Sequence, residues 1–139
     1  TNALREDLEV SFKAAKRWLD LLESFYYLYR IYPYATNVIR SLKKEPKMYL
    51  WDWSEVPDEG ARFENLIASH LLKLTHHLYD SEGYRAELHF LRDLNKQEVD
   101  FLVAVDKKPW FAVEVKLHDT NPSKTLIRFQ EKLQIPYSF

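Results

Sequence analysis

Two carboxylates and one lysine are close together on two predicted strands near the C-terminal end. Residues 97–105 and 110–116 have the length, the β-branched and aromatic content and the flanking turn residues of strands. Side chains two residues apart on a strand share a face, so Glu114 and Lys116 are expected side by side. Asp100, on the neighbouring strand, is then expected to join them at the edge of an apolar sheet.

This combination of residue types is suited to binding a cation. Two carboxylates held close together repel each other, and a hard divalent cation with oxygen ligands relieves that repulsion. Mg²⁺ binds through one or two carboxylates plus a phosphate, and a lysine nearby can stabilise charge that develops on the phosphate. The chemistry indicated is metal-assisted hydrolysis of a phosphodiester. The alternative is a surface Glu-x-Lys ion pair, worth about 0–1 kcal/mol.

The composition restricts the class of protein. The chain has 139 residues, 46% of them hydrophobic and only 2 of them glycine, which favours one packed domain or two very small ones. A net charge of −1 gives no overall electrostatic case for nucleic acid. The sequence has no cysteine and no Gly-rich phosphate loop, which excludes disulfides, thiolate metal sites and a P-loop in this chain. No apolar run approaches the roughly 20 residues of a membrane span, so a cytoplasmic location without membrane contact is expected.

Residues 1–56 have the outline of a winged helix. A helix end at residues 3–8 precedes a helix at 12–24, for which Ser11 is the expected N-cap. Aromatic-rich and alternating segments at 26–32 and 47–52 predict the two strands of a wing. The apolar residues at helical spacing, expected to face the core, are Phe12, Ala15, Leu19, Leu22 and Tyr26.

Basic residues of this first part are candidates for contacts with DNA phosphates. The candidates are Lys13, Lys16, Arg17, Lys43 and Lys44. Acidic neighbours, among them Asp20 and Glu23, weaken the local field. Winged helices also serve as protein-binding modules, so both kinds of partner stay open.

The second part, residues 57–139, begins after a turn-forming linker. A helix is predicted at 61–79, with Glu64 at the flank of its apolar stripe, and a strand at 86–92 precedes the two already described. A last helix at 124–133 and an incipient strand at 135–139 complete an α-β-β-β-α-β order. The predicted class is therefore α+β or α/β, with both ends of the fold trimmed, as in a fragment of a longer polypeptide.

The joint pattern resembles a known superfamily. The order of elements, with Glu64 on the first helix, Asp100 on the second strand and Glu114-x-Lys116 on the third, resembles the PD-(D/E)XK nucleases, which have a restriction endonuclease-like fold. The phrases at residues 63–67, 98–101 and 113–116, together with Pro46-Lys47-Met48-Tyr49, resemble a C-terminal domain of unknown function found in prokaryotic AAA-type ATPases. This resemblance covers essentially the whole chain.

The resemblance implies specific roles for these residues. Asp100 and Glu114 would bind Mg²⁺, Lys116 would be the catalytic lysine, and Glu64 would be a further ligand or would position water. Gln130 on the last helix is a weaker candidate. The family implies an upstream ATPase domain that this chain lacks, so no ATP is expected to bind here. One expectation is Mg²⁺-dependent cleavage of DNA; the alternative is an idle nuclease fold and winged helix that bind protein or DNA and regulate the ATPase.

Overall fold

The computed structural model describes residues 11–35, 45–118 and 121–139, which form three helices and one six-stranded mixed sheet. The helices are α1 (Phe12–Ser24), α2 (Glu59–Glu82) and α3 (Lys124–Leu133), with a 3-10 turn at Trp53–Glu55. The strands are β1 (Leu28–Pro33), β2 (Lys47–Leu50), β3 (Ala86–Arg92), β4 (Glu98–Val105), β5 (Lys108–Val113) and β6 (Tyr137–Ser138). Within these residues, no helix is both long and apolar enough to cross a membrane.

The sheet has the strand order β2-β1-β3-β4-β5-β6. The two strands predicted for the wing do pair as an antiparallel hairpin, with Leu28 opposite Leu50. The hairpin does not stand apart, because β1 also pairs in parallel with β3, where Tyr32 lies opposite His89. The sheet therefore runs across the division predicted between residues 1–56 and 57–139, and that division stays a prediction.

The helices begin and end at residues with suitable capping chemistry. The side chains of Ser11, Asp58 and Ser123 each accept a hydrogen bond from a backbone N–H in the first turn of the helix that follows. Gly83 ends α2 with φ of 74°, in the left-handed region where glycine has no steric penalty. The α2–β3–β4–β5–α3–β6 order agrees with the predicted one, and its assignment to the restriction endonuclease-like topology stays a proposal.

Two apolar clusters lie on opposite faces of the sheet. On one face, Ala68 of α2 packs with residues of β1, β2, β3 and β4 that include Phe90 and Phe101. On the other, Leu126 and Phe129 of α3 pack on residues of β3, β4 and β5. Helices α2 and α3 thus cover opposite faces of the sheet.

A β-bulge in β4 interrupts the alternation of its side chains. Leu91 pairs with Val99 and His89 pairs with Leu102, so β4 has one residue more than β3 between these pairs. The two residues opposite Phe90 are Asp100 and Phe101. Bulges of this kind redirect side chains, and here both residues point to the α2 face.

Three expectations about local structure were wrong. The turn between β4 and β5 is made by Asp106 and Lys107 alone, so β5 begins at Lys108. The strand ends at Val113, and Glu114 and Lys116 therefore lie beyond it. Phe12, Leu22 and Tyr26 are exposed, whereas Ala15 and Leu19 are buried as expected. The predicted strand at 47–52 stops at Leu50. The predictions for residues 3–8 and for Lys43 and Lys44 lie outside the described residues.

Candidate functional site

The ammonium group of Lys47 lies among three carboxylates, which we call the carboxylate centre: Glu64, Glu98 and Asp100. Its Nζ is 2.8 Å from Glu98 Oε1, 3.0 Å from Glu64 Oε1 and 3.5 Å from Asp100 Oδ1. The four side chains are 18–29% exposed, so they are sheltered from solvent but open at the edge. One lysine of β2 therefore joins carboxylates from α2 and β4.

Neighbouring groups donate further hydrogen bonds to the carboxylate centre, and Tyr49 shares Glu64 Oε1 with Lys47. Tyr49 OH donates to Glu64 Oε1 at 2.7 Å, and Arg92 Nε donates to Glu98 Oε2 at 2.6 Å. The backbone N–H of Val115 donates to Asp100 Oδ2 at 2.8 Å. The centre is a hydrogen-bonded network, as expected for charges removed from water.

The network shifts the protonation of its members in different directions. Burial raises the pKa of Asp100, with Glu64 adding to this, while the Val115 N–H and Lys47 oppose it. Burial also acts to raise the pKa of Glu98, but its hydrogen bonds to Lys47 and Arg92 outweigh that effect and the pKa is lowered. For Lys47, burial disfavours the charge, yet the hydrogen bond to Glu98 and the surrounding negative charges raise its pKa. The ammonium is thus held firmly in its charged form.

Local structure explains why these groups meet. The bulge turns Asp100 to the face that α2 covers, and Glu64, in the second turn of α2, faces the hairpin. Asn65 fixes the distance between α2 and β2: its side-chain amide exchanges two hydrogen bonds of 2.8 Å with the backbone N–H and C=O of Leu50. Asn65 is only 3% exposed, so it acts as a buried clamp on the end of β2.

Glu114 and Lys116 form a second polar group on the other side of the sheet. Glu114 Oε2 accepts a hydrogen bond from the backbone N–H of Ser123, the N-cap residue of α3, at 3.0 Å. Lys116 Nζ is 3.2 Å from the same oxygen and donates to the backbone oxygen of Asn121 at 2.7 Å. Burial acts to raise the pKa of Glu114, but the hydrogen bonds from Ser123 and Lys116 lower it. A cavity of about 360 Å³ adjoins this pair.

The structure therefore brings together only some of the residues predicted as one site. Glu64 and Asp100 meet at Lys47 on the α2 side, while Glu114 and Lys116 contact each other beside α3. Gln130 accepts a hydrogen bond from Ser138 Oγ at 2.7 Å and joins neither group through that contact. In the described ranges, no group of three or more histidine or acidic side chains is arranged to hold a metal ion.

The basic residues proposed for DNA contacts are placed only in part. Lys13, Lys16 and Arg17 are exposed on α1. Lys16 forms an ion pair of 3.1 Å with Asp20, which reduces its availability to a phosphate. Lys43 and Lys44 lie outside the described residues.

Sequence reasoning missed Lys47, Glu98 and Tyr49 as members of a polar site. A signal was present in the alternation of Lys47 and Tyr49, which places both side chains on one face of β2. Because their partners are on α2 and β4, no local pattern shows what that face contacts.

Comparisons with known proteins place most of the chain in a family. A family model described as "Domain of unknown function (DUF4143)" matches residues 59–138, which contain α2, the strands β3 to β6 and α3. A second model, described as "Domain of unknown function (DUF8612)", matches residues 1–54. No curated protein and no solved structure matches. Since its match covers more than half of the chain, this protein belongs to the DUF4143 family of domains of unknown function.

Proposed function

We propose that this chain is a catalytically idle, nuclease-like module whose role is to bind a protein partner. The observation that carries the proposal is the position of Lys47, whose ammonium contacts Glu64, Glu98 and Asp100 within 3.5 Å. A divalent cation placed among these carboxylates would be close to the ammonium of Lys47 and would compete with it for the oxygens that it contacts. Lys47 thus supplies positive charge among these carboxylates that a bound cation would otherwise supply.

The charges of the network also favour an internal role. Arg92 binds the second oxygen of Glu98, so two cationic side chains face the three carboxylates. Tyr49 donates a neutral hydrogen bond to Glu64. Little negative charge is left unbalanced, and the attraction for a free divalent cation is correspondingly small.

The placement of Glu114 supports the same conclusion. Its carboxylate is bound at the start of α3 by Ser123 and Lys116, whereas Asp100 faces α2. Metal ligands must approach an ion to about 2.0–2.6 Å. In this structure Asp100 contacts Lys47 on the α2 side, and Glu114 contacts Ser123 at the start of α3.

The partner role follows the resemblance to modules at the C-terminal end of AAA-type ATPases. In a longer polypeptide of that kind, an idle nuclease fold would report on or regulate the motor through contacts with protein.

The proposal is tested by titrating the chain with Mg²⁺ and Mn²⁺ in a calorimeter and by incubating it with duplex, single-stranded and branched DNA. We expect no saturable binding heat and no cleavage, with Asp100→Ala and the wild type indistinguishable in both assays. Asp106→Ala, in the exposed turn that follows the same strand, is the control. Metal-dependent cleavage that Asp100→Ala abolishes and Asp106→Ala preserves would overturn the proposal.

Mg²⁺-dependent hydrolysis of DNA is the second candidate, and one contact favours it. The hydrogen bond from the Val115 N–H brings the Asp100 carboxylate against the backbone between Glu114 and Lys116. If this function holds, Mg²⁺ should raise the melting temperature, because a ligand of the native state stabilises it. Asp100→Ala and Glu114→Ala should each remove that increase.

A further inference from the structure

Five large aromatic side chains are exposed at one end of α1 and of the β1–β2 hairpin. We call this surface the aromatic tip: Phe25 (76% exposed), Tyr26 (74%), Tyr27 (49%), Trp51 (39%) and Trp53 (37%). Single exposed apolar residues are common, but a group of aromatic rings at one place marks an interaction site more often.

Contacts between two turns hold the rings together. The turn from α1 to β1 carries Tyr26, whose ring centroid is 5.9 Å from that of Trp51 after β2. The N–H of Trp51 donates to the backbone oxygen of Tyr27 at 3.1 Å. Tyr27 OH donates to Glu55 in the 3-10 turn at 3.2 Å. The tip is therefore a built surface and not a loose loop.

The backbone at Tyr26 ends α1. The N–H groups of Tyr26 and Tyr27 donate to the backbone oxygens of Glu23 and Leu22, at 3.0 and 2.9 Å, which is the hydrogen-bond pattern of a Schellman cap. The φ of Tyr26, 56°, lies in the left-handed region, which is unfavourable for a bulky residue. The strained residue gains little burial in return, since its side chain is mostly exposed. Asparagine or glycine would fit this backbone better than tyrosine does.

The charges around the aromatic tip are mainly acidic. Glu23, Asp52 and Glu55 border it. Among the described residues, two guanidinium groups lie nearby, those of Arg30 and of Arg62, and Arg62 donates to the backbone oxygen of Val56 at 3.1 Å. Arg30 is itself paired with Glu23 and with Asp20. Acidic side chains repel phosphates, so this surface is unsuited to nucleic acid or to an anionic lipid bilayer.

We propose that the aromatic tip docks onto a protein partner that presents an apolar patch bordered by lysine or arginine. Aromatic residues dominate the centres of protein interfaces, and complementary charges around them steer association. Pairing through strands is not the mode at this surface, because its residues lie in turns outside β1 and β2. The inference rests on the proposed function of partner binding and names the chemistry of the partner.

The test uses two synthetic amphipathic helical peptides that share a leucine face and differ only in whether lysine or glutamate flanks it. Binding to the immobilised chain is measured by biolayer interferometry over a range of salt concentrations. We expect the lysine peptide to bind at least about tenfold more tightly than the glutamate peptide, with a preference that decreases as salt rises. Equal binding of the two peptides would overturn the proposal.

A pair of variants tests the surface itself. Tyr26→Asn removes the ring while relieving the backbone, so it should weaken binding of the lysine peptide by about tenfold and raise the melting temperature. Tyr79→Asn, at a residue 61% exposed near the far end of α2, is the matched control and should leave peptide binding unchanged. Unchanged binding by Tyr26→Asn, or an equal loss in Tyr79→Asn, contradicts the proposal.

Separate controls distinguish this inference from the proposed function. Binding of single-stranded DNA or of phosphatidylserine vesicles that Tyr26→Asn abolishes would assign the tip to another class of partner and overturn the inference. Metal-dependent DNA cleavage would overturn the idle-module proposal but leave the peptide result standing. Failure of the peptide test with no metal binding would reject the tip alone.

Discussion

Lys47 connects parts of the chain that are far apart in sequence. Its ammonium contacts Glu64 on α2 and two carboxylates of β4, so one side chain links three elements of the fold. Removal of one partner from a sheltered ion cluster leaves the other charges without compensation, which costs more than the intact cluster contributes. The residue is thus important for stability whether or not the site has a further role.

Lys47→Met should therefore destabilise the protein strongly. We expect a loss of about 2–3 kcal/mol, between the effect of an exposed pair and that of a fully buried one. Urea denaturation at neutral pH measures it, and the loss should shrink at acidic pH as the carboxylates take up protons. Lys16→Met, which breaks the exposed pair with Asp20, should cost about 1 kcal/mol or less; equal losses in the two variants would contradict this account.

Glu98 and Asp100, the two carboxylates of β4, should have opposite effects on the pH dependence of stability. The pKa of Glu98 is lowered from its ordinary value of 4.5 because Lys47 and Arg92 outweigh burial. Its contribution is complete above that ordinary value and is lost as pH falls through the lowered folded pKa. Glu98→Gln should thus cost roughly 1.5–3 kcal/mol at neutral pH and progressively less in acid.

Asp100 provides the contrast for this measurement. Burial raises its pKa above the ordinary 3.8, so protonation favours the folded state as pH falls through the raised value. Asp100→Asn should remove that gain, which makes the stability of the variant fall more steeply in acid than that of the wild type. Urea denaturation of both variants across the acidic range measures this pH dependence. If the stabilities of Glu98→Gln and Asp100→Asn change with pH in the same way, the opposite pKa shifts of Glu98 and Asp100 are contradicted.

At the level of single residues, sequence reasoning identified part of the carboxylate centre. Residue type and spacing singled out Glu64 and Asp100, and these two do meet at Lys47. The bulge could not be predicted, because an extra residue in one strand shows only against the partner strand. A strand pattern without the bulge predicts Asp100 beside Glu114. The bulge instead turns Asp100 to the α2 face, where it contacts Lys47.

At the level of elements, Asn65 joins a helix to the end of an edge strand. Its amide binds both backbone groups of Leu50, as a neighbouring strand would. Asn65→Ala should cost about 2 kcal/mol, since it leaves polar groups of Leu50 without partners and opens a small cavity. Asn95→Ala, at an exposed turn residue, is the control and should change stability by less than about 0.5 kcal/mol in the same urea experiment.

The two glycines of the chain should respond differently to the same substitution. Gly83→Ala should cost about 1 kcal/mol, because φ of 74° at the end of α2 disfavours a side chain even though a Cβ there would meet no atom within 4 Å. Gly60→Ala lies in the first turn of α2 without positive φ, and alanine favours a helix. We expect it to be neutral or to stabilise by up to about 1 kcal/mol. Thermal denaturation of both variants measures the difference, and a loss in Gly60→Ala as large as that in Gly83→Ala would show that backbone conformation is not its cause.

The elements themselves were largely predictable. Periodicity and capping residues gave β3 and α3 with their observed bounds, and α1 began where Ser11 indicated. The predicted end of β5 was wrong, because the same local pattern fits both a strand and an irregular segment. The alternating segment that follows the turn at Asp106 continues past Val113, but β5 ends there, and only the position of its neighbours decides where pairing stops.

On the scale of the whole molecule, the hairpin and the remaining strands form one sheet. The β1–β3 pairing, the Asn65 clamp and Lys47 all connect residues before the predicted division at 56/57 with residues after it. We therefore expect one cooperative unfolding transition, with equal calorimetric and van't Hoff enthalpies. Two resolved transitions in differential scanning calorimetry would instead support two independent halves.

The sheet order was not available from the sequence. Antiparallel neighbours joined by short turns can be inferred locally, as for β3, β4 and β5. The parallel contact of β1 with β3 joins strands separated by the whole of β2 and α2, so no turn chemistry specifies it. A wing and a strand at the edge of a larger sheet have the same pattern along the chain.

The parallel contact between Tyr32 and His89 also has a consequence during synthesis. On the ribosome, β1 emerges well before the strand that completes its hydrogen bonds, because all of α2 must be translated first. Until then the nascent hairpin has an unpaired edge and exposed aromatic rings, which is the condition in which chains associate wrongly or recruit chaperones. The interval in which this protein is most vulnerable therefore closes only when β3 has left the exit tunnel.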